Sequence, residues 1–247
     1  MKTLEYDKLA VDHTLRLGLI VLQSDVTIED EFRYFYQGLP ISLLANRIPF
    51  ENEVTVETLK QMQAHIISSM SLFPLDTQFD CLGYGCTSGA LHIGHQAIAQ
   101  LVDSARPCAA TSNPMLAAIA AMHHIKAKKI AYLAPYSVDV SQTMVDEFEK
   151  NNIEVVTAAT FNESQDRNVG LISPKSTKRA CLKLINDAAV DAVFISCTNV
   201  KSAHIIPQIE EATGVVAMSS NQVLAWHMLR LANYQEPVAN RGSLFAS

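Results

Sequence analysis

Short apolar runs alternate along the chain with longer amphipathic stretches. The runs are rich in valine, isoleucine and leucine, and the stretches between them repeat apolar residues at helical spacing. This alternation is typical of a parallel sheet covered by helices on both faces. It predicts strands near residues 17–23, 41–46, 79–85, 107–111, 129–134, 153–158, 191–196 and 215–218.

The intervening stretches predict helices. They span roughly residues 27–37, 55–72, 88–104, 114–126, 138–151, 174–188, 200–212 and 221–233. Thr55 and Ser173 carry side chains that are preferred at helix starts. Residues 160–173 are polar and lack clear periodicity, so we expect a loop that lies over the functional site. Residues 234–247 are interpreted as a C-terminal tail.

The chain repeats itself around two cysteines. Cys86 and Cys197 each end an apolar run and are each followed by threonine, in YGCTSGA and ISCTN. A shift of 111 residues, the separation of the two cysteines, lays LGLIVLQSD over KKIAYLAPY and Asp25 over Tyr136. The later segments CAATSN and VAMSSN also match, with a three-residue gap between the copies. The pattern indicates an internal duplication and predicts two α/β units.

Polar or reactive residues follow four of the predicted strands: Asp25, Cys86, Tyr136 and Cys197. Ligands of open parallel sheets bind beyond the carboxyl ends of the strands. One thiol on each side of a small substrate could take a proton from one face of a carbon and return one to the other. Each cysteine precedes a predicted helix, whose dipole and free N–H groups predict a depressed thiol pKa.

Each of these assignments has a structural alternative. A cysteine in an apolar strand can be only a small buried hydrophobe, and we prefer that interpretation for the three cysteines outside the repeat, Cys81, Cys108 and Cys181. Asp25 could be a helix N-cap and Tyr136 a solvated loop residue. For Cys86 and Cys197, the matching positions in the two repeats favour function.

The residues after the thiols offer hydroxyl, amide and backbone N–H groups. They are Thr87, Ser88, Thr198 and Asn199. Such groups could bind a substrate carboxylate or an enediolate-like pair of oxygens. Helix capping is the alternative role, and the two roles are compatible.

Composition limits the possible functions. The chain has 247 residues, of which 49% are hydrophobic and 18% charged, and its formal net charge is −6. Nucleic acid is therefore not an expected partner. No apolar run approaches the roughly 18 residues of a membrane span. The charged N-terminal sequence does not resemble a signal peptide, so we expect a cytoplasmic protein with five free thiols.

Other motifs are weak. Gly83 begins a GxGxxG pattern in which Ser88 replaces the third glycine, and a GxSxG pattern has Thr87 at its centre. His92 and His95 could share a helix face, but no third metal ligand is suitably spaced. We therefore expect neither a metal nor a cofactor.

The two Cys-Thr motifs resemble those of the aspartate/glutamate racemase superfamily. Together with LGLIVLQSD, NRIPF, TSNPMLAA and APYS, they are most similar to the branch of maleate cis-trans isomerases, arylmalonate decarboxylases and ectoine-utilisation proteins. The resemblance covers roughly residues 15–232. It implies two Rossmann-like domains related by a pseudo-two-fold axis, with the active site between them and with neither cofactor nor metal.

The resemblance also implies roles and boundaries. Cys86 and Cys197 would be the two catalytic thiols, and Tyr136 would bind a substrate carboxylate. The N-terminal domain would comprise residues 1–113 and 219–247, completed by the last strand and helix, and the C-terminal domain residues 114–218. A homo-oligomer is expected, because members of the family commonly assemble.

Two residues depart from patterns within this branch. Decarboxylases have glycine in place of the first cysteine, whereas this chain has Cys86, which makes plain decarboxylation less favoured. Maleate isomerases have asparagine where this chain has Asp25. An ionised aspartate would repel the carboxylate of a dianionic substrate, and it favours a substrate with an amino or amide nitrogen.

The sequence therefore predicts a cofactor-independent racemase or isomerase of a small carboxylate that uses Cys86 and Cys197. It does not distinguish α-proton racemisation from reversible thiol addition to a double bond. The alternatives are a lyase similar to arylmalonate decarboxylase and a non-catalytic small-carboxylate binder. A binder would have no need of two reactive thiols.

Overall fold

A computed structural model of the protein describes residues 1–7, 14–49 and 56–247. The predicted helix start at Thr55 lies outside these residues. The strands of the described chain are β1 Leu15–Leu22, β2 Ile41–Ile48, β3 Cys81–Gly85, β4 Thr111–Ser112, β5 Lys129–Ala134, β6 Glu154–Thr160, β7 Ala192–Ile195 and β8 Val216–Ser219. The helices are α1 Ile28–Tyr36, α2 Val56–Met70, α3 Thr87–Ile93, α4 His95–Ala105, α5 Pro114–His124, α6 Val138–Lys150, α7 Asp166–Val169, α8 Pro174–Asp187, α9 Ile206–Thr213 and α10 Ser220–Leu231, followed by a 3₁₀ turn at Ser243–Ala246.

The described strands form two parallel four-stranded sheets. Their orders are β2-β1-β3-β4 and β6-β5-β7-β8, so the second sheet repeats the connectivity of the first. The central strands are buried on both faces, as expected for parallel sheets covered by helices. The predicted duplication and fold class are thus confirmed, and each cysteine motif follows the third strand of its sheet.

The sheet register differs from the sequence shift by two residues. Ile20 pairs with Tyr84, and Leu133 pairs with Ile195. When Ile195 is superposed on Tyr84, Leu133 takes the place of Ile20, whereas the 111-residue shift places it on Leu22. The loop after β1, residues 23–27, is also longer than the loop after β5, residues 135–137. The constant shift of 111 residues therefore does not align structurally equivalent residues of the two loops.

Three other sequence predictions were wrong in detail. The helix predicted over 88–104 is divided at Gly94, whose φ of +86° is rare for residues with a side chain. The helix predicted from residue 200 begins at Ile206, and turns occupy the chain before it. The predicted loop over 160–173 contains the short helix α7.

The C-terminal segment is packed against the protein and is not a tail. Leu244 and Phe245 are buried, and the Phe245 ring stacks on that of Phe35 at 5.4 Å. The backbone N–H of Val238 donates to the Phe245 carbonyl at 2.7 Å. The residues before Leu244 and Phe245 are mostly polar, so the sequence did not indicate that this pair packs against the protein.

Helix α10 connects the two halves. It follows β8 of the second sheet, yet it packs against β3 and β4 of the first sheet and against α1 and α5. The last helix therefore packs on the N-terminal half, and the last strand, β8, pairs with β7 of the second sheet. In the described part of the chain, no helix is both long and apolar enough to cross a membrane.

Candidate active site

A cavity of about 210 Å³ lies where the cysteine-bearing strand ends of the two halves meet. Both halves contribute to its lining. Of the eight site residues predicted from the sequence, seven line it: Asp25, Cys86, Thr87, Ser88, Tyr136, Cys197 and Thr198. The loop after β6 closes one side through Glu163, Ser164, Asp166 and Val169, so this loop does lie over the site.

Cys86 is the N-cap residue of α3 and has an extended backbone. Its Sγ accepts a hydrogen bond from the Gly89 N–H at 3.2 Å, and the Ser88 hydroxyl lies 3.9 Å from it. Burial raises the pKa of this thiol to about 11, although both contacts favour the thiolate. The predicted depression of the pKa is therefore wrong, because desolvation exceeds the effect of the helix terminus.

Cys197 has a different backbone conformation from its partner. Its φ is +90°, a region that residues other than glycine rarely occupy and that is found at functional sites. Burial raises its pKa well above the usual value, and the charge of Asp166 adds to this shift. The Asn199 N–H and the Tyr136 hydroxyl oppose the increase. The predicted pKa depression is wrong here too, because burial dominates and the helix expected from residue 200 begins only at Ile206.

Ser220 connects the two cysteine motifs. Its hydroxyl oxygen accepts hydrogen bonds from the Thr87 hydroxyl and from the Cys197 N–H, both at 3.0 Å. The Thr198 hydroxyl in turn donates to the Gly85 carbonyl at 3.4 Å. Ser220 was not recognised from the sequence, although it lies in the repeated segment VAMSSN and begins the bridging helix α10.

A second connection runs through Glu31 on α1. This buried carboxylate accepts hydrogen bonds from the backbone N–H groups of Ser202 and Ala203 and from the Asn221 amide at 2.8 Å. Asn221 also donates to the Thr198 carbonyl at 2.7 Å. A side chain of the first half thereby holds the loop that carries Cys197 in the second half.

Asn199 is the predicted site residue that does not line the cavity. Its amide nitrogen donates to the Asp166 carbonyl at 2.9 Å and to Asp166 Oδ2 at 3.1 Å. Its Oδ1 accepts the Val26 N–H at 3.0 Å. A Cβ at Gly170 would lie 2.9 Å from Val26 Cγ2 and 3.1 Å from Asn199 Oδ1. The side chain therefore connects the loop after β6 to the first half.

The cavity wall carries three carboxylate side chains, Asp25, Glu163 and Asp166. Asp25 is 1% exposed, and its Oδ1 accepts the N–H groups of Thr27 at 2.8 Å and Ile28 at 2.9 Å. Burial raises the pKa of Asp25, although these N–H groups favour its charged form. The loop that carries Glu163 and Asp166 was predicted, but these two residues were not, because a polar loop has no periodic pattern that singles out a residue.

We expect Asp25→Asn to stabilise the folded protein at neutral pH by on the order of 1 kcal/mol. Asparagine retains the oxygen that accepts both N–H groups and removes the buried charge. Because the folded-state pKa of Asp25 is raised, its contribution to stability is present below the unfolded-state pKa and is lost as the pH rises through the folded-state pKa.

The measurement is urea unfolding of wild type and variant between pH 4 and pH 8. The advantage of the variant should grow as the pH rises. An advantage that does not change with pH would contradict the account of Asp25.

Two duplicated parallel sheets with a cysteine from each at one cavity define a two-cysteine α/β scaffold. The chain belongs to the arylmalonate decarboxylase family, whose family model matches residues 90–245. Cys86 lies just before the matched segment.

Maleate isomerases are among the similar proteins. Those of Geobacillus stearothermophilus and Alcaligenes faecalis are 25% and 24% identical to this chain, and each alignment covers 94% of this chain and 97% of the relative. A cysteine-to-serine variant of Nocardia farcinica maleate cis-trans isomerase, with a covalently bound succinylcysteine intermediate, has a TM-score of 0.81 at 19% identity, over 94% of this chain and 98% of that one. Unliganded arylmalonate decarboxylase has a TM-score of 0.76 at 16% identity, over 94% and 99%. These findings confirm the recognised branch and its fold.

Proposed function

We propose that this protein is a cofactor-independent racemase or isomerase of a small carboxylate, and that Cys86 and Cys197 carry its reaction. The observation that carries the proposal is that two cysteines from matching positions of the repeats line one cavity. The cavity of about 210 Å³ suits a small substrate. The interpretation as an isomerase is confirmed by relatives named maleate isomerase that align over nearly the whole chain.

In a racemisation, the thiolate of one cysteine takes the proton from the carbon next to the substrate carboxylate. The C–H electron pair moves into the carboxylate and gives an enediolate, and the thiol on the other face donates its proton to the carbon. Ser88 lines the cavity, where its hydroxyl group is available to the enediolate oxygens. The hydroxyl hydrogens of Thr87 and Thr198 are already donated to Ser220 and to the Gly85 carbonyl. Tyr136 is assigned to the substrate carboxylate.

In a cis-trans isomerisation, the Cys86 thiolate adds to one carbon of the double bond while Cys197 protonates the other. The resulting single bond rotates, Cys197 removes the proton, and the C–S bond breaks to restore the alkene. The relative that holds a covalent succinylcysteine supports thiol addition on this scaffold. The decarboxylase and the non-catalytic binder remain the alternatives, and cytoplasmic location and homo-oligomeric assembly remain predictions.

The raised thiol pKa values lead to a prediction about reactivity. With a pKa of about 11, only a small fraction of Cys86 is thiolate at neutral pH. We expect its alkylation rate to rise about tenfold per pH unit between pH 7 and pH 10, since the thiolate is the nucleophile. Brief iodoacetamide pulses followed by peptide mapping measure this rate. A rate that is flat above pH 7 would show that the thiol is already ionised. Labelling of the urea-unfolded chain is the control for access of the reagent to the thiol.

Isotope exchange tests the proposed function. The protein is incubated in heavy water with amino acids, N-acyl amino acids and dicarboxylates, and deuterium uptake next to the carboxylate is followed by NMR. We expect uptake with at least one class, and loss of uptake when both cysteines are serine. Loss of carbon dioxide from substituted malonates would instead indicate the decarboxylase alternative. Binding without exchange, isomerisation or decarboxylation would indicate a non-catalytic binder.

A further inference from the structure

We propose that the substrate carries a protonated nitrogen beside its reacting carbon and that Asp25 and Asp166 bind this nitrogen. The inference rests on the proposed function and names the substrate class of the same site. The substrate is then a zwitterion with one carboxylate, of the kind represented by a small amino acid. A dicarboxylate of similar size is disfavoured.

The charges around the cavity support this assignment. The described lining contains the carboxylates of Asp25, Glu163 and Asp166, but neither lysine nor arginine. Its one basic side chain is that of His92, which is exposed. Asp25 is buried, and a buried carboxylate is costly unless a cation or several hydrogen bonds compensate it. A second substrate carboxylate would add to the unbalanced negative charge, whereas an ammonium group would offset it.

Asp25 offers an oxygen for such a contact. Its Oδ1 is used by two backbone N–H groups, while its buried Oδ2 has no hydrogen-bond partner. The nearby Thr198 hydroxyl lowers the pKa of Asp25 and so favours the charged carboxylate. The Thr198 hydroxyl itself donates its hydrogen bond to the Gly85 carbonyl at 3.4 Å. An ammonium group beside Oδ2 would form a charge-assisted hydrogen bond in a site sheltered from water.

Asp166 provides the second carboxylate. Asn199 holds it through hydrogen bonds to its carbonyl and to its Oδ2, so its position is fixed by the fold. After burial, which is the largest cause, its charge contributes to the raised pKa of Cys197, Cys86 and Asp25. Asp166 therefore lies close enough to act on both thiols and on Asp25.

A bound cation would also assist the chemistry. A positive charge beside the two aspartates offsets the repulsion that these carboxylates exert on a thiolate at Cys86 or Cys197. Substrates with the nitrogen thus favour the ionised nucleophile, whereas dicarboxylates oppose it. Within the described residues, no three histidine, cysteine, aspartate or glutamate side chains are grouped to hold a metal ion.

The test is binding of matched ligand pairs that exchange an ammonium group for a carboxylate. The pairs are alanine and methylmalonate, 2-aminobutyrate and ethylmalonate, and phenylglycine and phenylmalonate, each measured by titration calorimetry at pH 7.5. We expect the amino acid of the best-fitting pair to bind about ten- to a hundredfold more tightly than its malonate partner. Asp25→Asn and Asp166→Asn should each reduce this preference at least about tenfold.

Asp146→Asn is the matched control. It removes one negative charge from an exposed position on α6 that does not line this cavity, and it should leave the preference unchanged. Equal or tighter malonate binding in wild type, an unchanged preference in both cavity variants, or no binding by any of the amino acids would overturn the inference. Malonate binding that becomes preferred when Mg²⁺ is added would overturn it as well.

Deuterium exchange distinguishes this inference from the proposed function. If the amino acids bind with the expected preference but neither exchange nor racemise, the substrate class stands and the proposed reaction fails. If dicarboxylates bind better and are turned over with dependence on the cysteines, the proposed reaction stands and the substrate class is wrong.

Discussion

For the proposed racemisation, replacing either Cys86 or Cys197 with serine should abolish turnover while leaving one face of the substrate partly reactive. In Cys86→Ser and in Cys197→Ser we expect the overall rate to fall by about 10²- to 10⁴-fold, the usual contribution of a positioned base. Serine is nearly isosteric but far less acidic than cysteine, so it does not supply the base or the acid on its face. The fold should persist, because serine is similar in size to the buried cysteine that it replaces.

The single-face reaction separates this mechanism from a general loss of structure. At least one variant should still exchange the α-proton of a single enantiomer in heavy water, because one face retains its thiol. Cys181→Ser is the matched control, since Cys181 is buried but lies on α8 and does not line the cavity. Full racemisation by either active-site variant would show that one cysteine suffices and would favour the decarboxylase-like alternative.

Replacement of Glu31 should have the second largest effect, on stability as well as on the Cys197 side of the reaction. Glu31→Leu leaves the N–H groups of Ser202 and Ala203 and the Asn221 amide without their buried acceptor. We expect a loss of about 3 to 5 kcal/mol of unfolding free energy, the usual result of breaking a buried charged network. Glu31→Gln retains one acceptor oxygen and should lose less, about 1 to 3 kcal/mol.

If Glu31 served only to stabilise the fold, its replacement would slow proton exchange equally on the two faces of the substrate. Because Asn221 joins Glu31 to the Thr198 carbonyl, Glu31→Gln should slow proton exchange at the Cys197 face more than at the Cys86 face. Urea unfolding and exchange measured for each enantiomer give the two readouts. Asp30→Asn is the control, because Asp30 is an exposed neighbour on the same helix and should change stability by less than about 0.5 kcal/mol. Equal slowing of both faces would contradict the positioning role.

The repeated pattern was sufficient to predict the fold and to indicate the two cysteines that line the cavity. Strands such as β5 Lys129–Ala134 are apolar after their first residue, so their positions followed from local sequence. The identical order of the two sheets agrees with the duplication seen around Cys86 and Cys197. What repeats at the level of the sequence also repeats in the connectivity of the strands.

The remaining features depend on contacts between distant residues. The thiol pKa values are set by burial and by Asp166, and burial cannot be inferred from the place of a cysteine before a helix. Glu31 and Ser202 are far apart in the chain, and no local pattern indicates their hydrogen bond. The positive φ of Cys197 also breaks the symmetry that the sequence suggested. Sequence similarity between the repeats therefore indicated both cavity cysteines but not the differences in their backbone conformation and surroundings.

The central claim is that two thiols act from opposite faces of one carbon. The most direct measurement is the deuterium content of recovered substrate and product during the first few percent of conversion of a single enantiomer in heavy water. The base that takes the substrate proton differs from the thiol that donates solvent deuterium. The account therefore predicts deuterium in the product enantiomer and almost none in the recovered substrate. Equal deuterium in both from the earliest time points would contradict it, because a single base would then serve both faces.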